Sequence, residues 1–100
     1  MKTYSNEQPN IYDVSGHELR IHFDMQEIAT EDGTQWQAEE VLCHVKDTRN
    51  QIIEKIIATR YSVGAELATI NNQTNDPDAY AAYQAFRVLA KELADGYAAS

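Results

Sequence analysis

Two stretches of alternating apolar and polar residues predict the strands of a β-hairpin. From residue 18 to residue 25 the alternation has the period of a strand with one buried face. Its apolar positions are Leu19, Ile21, Phe23 and Met25. Residues 34–46 alternate in the same way, and their inward positions are Val41, Cys43 and Val45. Turn residues lie between the two stretches, so we expect the strands to pair antiparallel.

The length of the turn decides which residues face one another. A three-residue loop at 31–33 keeps the apolar positions of both strands on one face, whereas a two-residue loop at Asp32 and Gly33 mixes the faces. The sequence therefore favours the three-residue loop. The pairs that it predicts are Leu19 with Val45, Ile21 with Cys43, Phe23 with Val41, and Glu18 with Lys46.

Three apolar residues near the turn lie outside this pattern. In the predicted register Ile28 pairs with Trp36, and Ala38 lies on the same side, opposite the Phe23 face. A strong twist or a pair of β-bulges would bring both apolar patches onto one core. Alternatively, Ile28, Trp36 and Ala38 contact a partner or a second protomer, with the tryptophan as the anchor. These three residues are the candidate interface.

Capping signals predict two short helices after the hairpin. Thr48 and Gln51 have the spacing of a capping box, which favours a helix with four isoleucines on one broad face. Ser62 can cap a second helix, because its side chain can accept a hydrogen bond from the first turn. The apolar positions of this second helix are Val63, Leu67 and Ile70.

A third helix is predicted from Pro77 to about Asp95. Asp76 can act as its cap, Pro77 suits the first helical position, and Gly96 follows its end. Its apolar seam consists of Ala79, Tyr83, Phe86, Ala90, Leu93 and Tyr97. This seam would pack on the hairpin or, alternatively, on a helix of a second protomer.

These elements predict one α+β domain over residues 11–100, preceded by a flexible, polar N-terminal arm at residues 1–10. The sheet would be an antiparallel β-hairpin, which a short third strand at residues 10–14 can extend. Three C-terminal helices would pack against it, because a two-stranded sheet is only marginally stable alone.

The charge of the chain restricts its partners. The 100 residues include 8 Lys and Arg and 16 Asp and Glu, giving a formal net charge of −8 at pH 7. Such a surface repels phosphate backbones and anionic lipids, so we expect no direct nucleic-acid or membrane binding. No run of 18 apolar residues and no apolar N-terminal region occurs, which predicts neither a membrane span nor a secretory signal. The single cysteine fits a reducing compartment.

The residues with reactive side chains do not form a recognisable site. In the predicted register His22 and His44 lie diagonally on the polar face, near Asp24 and Glu40, but the ligand spacing of a metal site is missing. We interpret them as solvated surface histidines. Cys43 faces the apolar side and His44 the opposite side, which disfavours a Cys–His pair. The sequence therefore predicts no catalytic residue, no metal and no cofactor.

Three segments resemble a pattern in small, largely uncharacterised proteins of bacteriophages and prophages. They are residues 56–62 (IIATRYS), 66–68 (ELA) and 77–87 (PDAYAAYQAFR). The resemblance covers about residues 18–95 and includes the order of elements, from a Trp-containing hairpin to a final helix with spaced aromatic residues. It implies a structural or accessory role of the kind encoded among virion or tail genes, and it carries over no active site.

The sequence thus predicts a non-enzymatic phage or prophage protein that acts through protein–protein contacts. Its partners would be other phage proteins or copies of itself, in the bacterial cytoplasm or in the virion. The alternative is an acidic inhibitor that mimics nucleic acid and occupies the binding site of a host protein. A mimic needs carboxylates at duplex-like spacing, whereas those of this sequence are scattered along the chain.

Overall fold

Four strands and three helices make up the computed structural model, which describes residues 2–99. Met1 of the predicted arm and Ser100, the end of the predicted domain, lie outside the described residues. The elements are β1 Lys2–Ser5, β2 Tyr12–Ser15, β3 Glu18–Thr30, β4 Gly33–His44, α1 Arg49–Ala58, α2 Val63–Asn71 and α3 Pro77–Ala99. The predicted α+β class is confirmed. The chain divides into a sheet unit, Met1–Lys46, and a helical unit, Asp47–Ser100.

The sheet is antiparallel and its strand order is β1-β4-β3-β2. The central strands β3 and β4 form the predicted hairpin, and β2 is the predicted third strand, which begins two residues later and ends one residue later than expected. The other outer strand, β1, lies in the segment that the sequence assigned to a flexible arm. That segment is polar, and a four-residue edge strand is too short to give a recognisable alternation.

The register of the hairpin differs from the prediction by two residues. The observed pairs include Glu18 with His44, Leu19 with Cys43, Ile21 with Val41 and Phe23 with Glu39. A shift of two residues preserves the faces, because side chains alternate with a period of two. Leu19, Ile21, Phe23, Val41 and Cys43 therefore share the predicted face and are all buried. Met25 and Val45 were assigned to the same face but are only partly buried.

A β-bulge in β3 explains why the predicted loop was wrong. The register changes by one residue between Phe23 and Gln26, and Asp24 within this bulge has a φ of 50°. Aspartate is one of the few non-glycine residues that adopt this left-handed conformation readily. The extra residue exchanges the faces of β3 beyond the bulge. The strands are then joined by a two-residue turn at residues 31–32, which pairs Thr30 with Gly33. Gly33 has a φ of 127°.

The first two helices begin at the predicted caps. The Thr48 hydroxyl accepts a hydrogen bond from the Gln51 amide at 3.2 Å, and the Gln51 side-chain oxygen accepts one from the Thr48 amide at 2.8 Å. This reciprocal pair satisfies two amides that the helix itself cannot use. At α2 the Ser62 hydroxyl accepts from the Ala65 amide at 3.1 Å. Local sequence therefore determines where both helices start.

The third helix also starts as predicted but extends further. Asp76 Oδ1 accepts a hydrogen bond from the Ala79 amide at 3.2 Å. The helix continues through Gly96, which was expected to lie beyond its end. A glycine inside a helix costs about 1 kcal/mol relative to alanine, which a 23-residue helix tolerates. Its buried seam is Tyr83, Phe86, Ala90 and Ala94.

Side-chain contacts show that α1 and α3 run in opposite directions. At one end, Arg49 Nε lies 2.5 Å from Asp95 Oδ1. At the other end, the Arg60 guanidinium lies 4.4 Å from the centre of the Phe86 ring. Helices α1 and α3 therefore pack against each other, and the buried residues of α1 are Ile52, Ile53, Ile56 and Ile57.

Candidate functional site

The structure separates the three residues of the predicted interface. Trp36 pairs with Glu27, and Ile28 pairs with Gln35, so the predicted pairing of Ile28 with Trp36 is wrong. Because paired residues point to the same side, Ile28 and Trp36 lie on opposite faces of the hairpin. Ala38 shares the Trp36 face but is only 1% exposed. Trp36 and Ile28 remain partly exposed, whereas Ala38 is too deeply buried to contact a partner.

The end of the hairpin extends beyond the outer strands. β1 pairs with β4 only over Trp36–Glu39, and β2 pairs with β3 only over Glu18–Ile21. Residues 27–36, which we call the hairpin tip, thus form a two-stranded ribbon that the described outer strands flank only at its base. Its four residue pairs give it a length of about 14 Å. A ribbon of two strands gains little stability by itself.

Negative charge is concentrated on the hairpin. Residues 21–45 contain six carboxylates and no Lys or Arg; the carboxylates are Asp24, Glu27, Glu31, Asp32, Glu39 and Glu40. The whole sheet unit has nine Asp and Glu against three Lys and Arg, whereas the helical unit has seven against five. The carboxylate excess is therefore not scattered evenly, which corrects the expectation from the sequence.

His22 was expected to be a solvated surface residue, and this is wrong, because only 7% of the residue is exposed. Its Nδ1 lies 2.7 Å from the carbonyl oxygen of Asn10 and its Nε2 lies 3.0 Å from Glu40 Oε1. A carbonyl oxygen can only accept, so Nδ1 carries a proton and donates it. Arg20 also faces Glu40, at 3.6 Å. This polar cluster holds the segment between β1 and β2 on the sheet.

The predicted diagonal arrangement of His22 and His44 is not observed. The ring of His44 stacks instead on His17, with centroids 5.6 Å apart. His44 Nδ1 accepts a hydrogen bond from the Lys46 amide at 3.0 Å. Over residues 2–99, no group of three or more His, Cys, Asp or Glu side chains is arranged to hold a metal ion. Cys43 is buried, in line with its predicted position on the apolar face.

A concave surface of the helical unit is a groove between its three helices. It has a volume of about 800 Å³, and we call it the helical groove. Apolar and aromatic residues from all three helices and the α1–α2 link line it, among them Ile53, Ile57, Tyr61, Ile70 and Tyr83. Arg87 and Lys91 on α3 make one wall basic, while Glu54 and Glu66 lie on the other helices. The groove thus combines an apolar lining with a charged border.

The floor of the helical groove is fixed by aromatic contacts. The rings of Tyr61 and Tyr83 meet edge to face with centroids 5.0 Å apart. The Tyr83 hydroxyl donates a hydrogen bond to Glu66 Oε2 at 2.6 Å. Burial of the phenol, and then this hydrogen bond, raise the pKa of Tyr83 above its usual value of 10.0. The hydroxyl therefore stays protonated at neutral pH and links α3 to α2.

Helix α2 exposes apolar side chains beside the groove. The exposed fractions are 75% for Val63, 56% for Leu67 and 37% for Ile70, and no residue of α2 is buried. Their spacing of four and three residues puts them on one side of the helix. The sequence identified these positions as the apolar side of a helix, but spacing alone could not show that the side stays uncovered.

None of the helices between residues 2 and 99 combines the length and apolar character needed to cross a membrane. Comparisons of the chain with models of protein families, with curated proteins and with solved structures found no match. The helical groove and the hairpin tip are therefore identified by their own geometry.

Proposed function

We propose that the chain is a non-enzymatic phage or prophage accessory protein that acts through protein–protein contacts, with the helical groove as its binding surface. The observation that carries the proposal is the exposed apolar side of α2 next to a groove with an apolar lining. Adjoining apolar surface of this kind is typical of protein interaction sites. The phage assignment is supported by the resemblance of residues 56–87 to small phage proteins.

The lining of the groove defines the chemistry of the partner. Complete burial of a fully exposed Val, Leu or Ile side chain contributes about 1.5–3 kcal/mol, and covering the exposed parts of Val63, Leu67 and Ile70 contributes a share of this. The partner therefore needs apolar side chains at its centre. Arg87 and Lys91 lie one helical turn apart on the same wall. A carboxylate of the partner would complement this wall and fix the orientation in which it binds. The occupant is thus a protein segment with adjacent apolar and acidic side chains.

Site-specific photo-crosslinking tests this proposal. A benzophenone amino acid replaces Val63 at the groove or, as a matched control, Val88, which is 52% exposed on α3 and does not line the groove. The variants are produced in bacteria together with the products of the neighbouring genes. We expect a discrete crosslinked protein from position 63 and none from position 88. The absence of a product from position 63 would contradict the proposal.

A nucleic-acid mimic is the second candidate, and the concentration of carboxylates on the hairpin favours it. Arg20 faces one of the six carboxylates of residues 21–45, Glu40, while the exposed Glu27, Glu31 and Asp32 make the hairpin tip negative. In this case a photo-crosslinker at Gln35, in the hairpin tip, would capture a nucleic-acid-binding host protein. An added DNA or RNA duplex would prevent that crosslink, whereas a contact through the helical groove would be insensitive to the duplex.

A further inference from the structure

We infer that the occupant of the helical groove is the hairpin tip of a second copy of this chain, so that copies associate head to tail. The inference rests on the proposed function, since it names the partner of the same groove. It follows from the charge of the two surfaces, from the distribution of apolar side chains on the tip, and from the two-stranded construction of the tip.

The charges of the two surfaces are complementary. The hairpin tip carries Glu27, Glu31 and Asp32, all exposed, and has no Lys or Arg. The α3 wall of the groove carries Arg87 and Lys91. Opposite charges at the edges of two surfaces favour the correct orientation and speed association. The groove residues of α1 include both Arg49 and Glu54, and Glu66 lies on α2. The α3 wall is thus the side whose charged residues are all basic, and it is the side that attracts the carboxylates.

The tip also has apolar side chains on both of its faces. Ile28 lies on one face and Trp36 on the other, and both are partly exposed. A flat partner would cover only one of them, whereas a ribbon inserted into a groove is covered on both sides. The groove volume of about 800 Å³ lies in the range that encloses a drug-sized molecule, and so the side chains of a turn. Insertion would stabilise a ribbon that is marginal alone.

The tip and the groove are different surfaces of one chain, which determines the form of the assembly. Each contact uses the tip of one copy and the groove of the next, so every copy retains a second surface for a further contact. Such heterologous contacts build rings when the rotation closes and filaments when it does not. We therefore expect species larger than a dimer as the concentration rises.

Sedimentation velocity and tryptophan fluorescence test the inference on the full chain. The sedimenting mass should rise from that of the 11.3 kDa monomer to twice that mass and beyond with increasing protein concentration. Trp36 is the only tryptophan, so its emission reports the tip alone and should shift to the blue as association buries it. Added salt should weaken the association, because it screens charges at the edge of a contact.

Charge reversal identifies the two surfaces. A groove variant carries Arg87→Glu and Lys91→Glu, and a tip variant carries Glu31→Lys and Asp32→Lys. Each variant alone should remain monomeric, since its tip and groove then have the same sign. Mixing the two variants should restore association. The acidic tip of the groove variant then meets the basic groove of the tip variant, and the basic tip of the tip variant meets the acidic groove of the groove variant.

Matched controls separate this effect from net charge. The control for the groove variant carries Lys2→Glu and Lys46→Glu, which give the same change in charge. The control for the tip variant carries Asp78→Lys and Glu92→Lys. All four positions are exposed and lie outside the helical groove and the hairpin tip. Both controls should associate like the unmodified protein. Circular dichroism checks that all variants are folded.

Three results would overturn the inference: a protein that stays monomeric at every concentration, single variants that associate normally, or a mixture of the variants that stays monomeric. The crosslinking experiment tests the proposed function separately from this inference. If the crosslinker at position 63 captures a different protein while the chain is monomeric, the groove binds a partner but the hairpin tip of a second copy is not its occupant. If it captures nothing, the proposed function itself is wrong.

Discussion

Tyr83 donates its hydroxyl hydrogen to Glu66 across the α2–α3 contact, although its ring is only 2% exposed. The bond joins α3 to a helix that has no buried residue. We expect Tyr83→Phe to lower the free energy of unfolding by about 1.5 kcal/mol, the lower end for a hydrogen bond to a charged group. Urea denaturation measures the change. Tyr80→Phe is the control, because the Tyr80 hydroxyl contacts Gln84 on its own helix, and it should change stability by less than about 0.5 kcal/mol.

The same tyrosine predicts a loss of stability in alkali. The pKa of Tyr83 in the folded chain is raised above 10.0, first by burial and then by the Glu66 hydrogen bond. The stabilisation linked to this raised pKa is complete below the pKa that Tyr83 has in the unfolded chain. It is lost as the pH rises through the pKa that Tyr83 has in the folded chain. The free energy of unfolding should therefore decrease above about pH 10. Between pH 8 and pH 10.5 the free energy of unfolding should decrease less for Tyr83→Phe than for the unmodified protein. An equal decrease in both proteins would show that other groups cause it.

The two phenylalanines test the cores of the two units separately. Phe23 of β3 and Phe86 of α3 were both predicted to be interior from their positions in apolar patterns, and each is buried. Replacing either with alanine should cost about 3–5 kcal/mol, because the cavity only partly closes. Thermal melting measures the loss. Val88→Ala on the exposed side of α3 is the control, and a comparable loss there would contradict this explanation.

The bulge gives a test of backbone conformation. At Asp24, with a φ of 50°, a β-branched side chain is unfavourable, whereas glycine is readily accommodated. We expect Asp24→Val to be less stable than Asp24→Gly by about 1–2 kcal/mol. The comparison between the two variants isolates the backbone effect, since both remove the carboxylate. Equal stabilities in urea would mean that the backbone at residue 24 is not left-handed.

The cluster around His22 should matter more for stability than its sequence position suggests. Replacing His22 with alanine leaves the Asn10 carbonyl and the Glu40 carboxylate without their ring partner, which costs about 1–3 kcal/mol. Amide hydrogen exchange at residues 6–11 should become faster, because the ring holds this segment on the sheet. The exposed His17→Ala is the control and should leave that exchange unchanged.

Local signals in the sequence determined the predictions that were confirmed. The caps at Thr48, Ser62 and Asp76 act within four residues, and each one starts a helix where predicted. The alternation along β3 and β4 likewise identified the buried residues of one face before the bulge, from Leu19 to Phe23 and from Val41 to Cys43. These features depend on neighbours in the chain, which is why residue order alone was sufficient.

Features that depend on distant residues were missed. The alternation runs through Asp24 without interruption, so nothing in the pattern marks the bulge that changes the register. The burial of His22 depends on a carbonyl twelve residues earlier, brought near by β2 pairing. At the candidate site, the apolar positions of α2 were predicted, but the helical groove results from the packing of three helices.

The ribbon at residues 27–36 also bears on how the protein avoids aggregation. A strand whose backbone amides and carbonyls face outward is a template to which further strands can add. Two such tips that approach edge to edge bring Glu27, Glu31 and Asp32 of both copies together, and the like charges oppose the contact at neutral pH. Added salt screens these charges and weakens the repulsion. The chain is therefore protected against fibrous stacking by the same residues that would direct its tip to a basic surface, and this protection is weakest at high ionic strength.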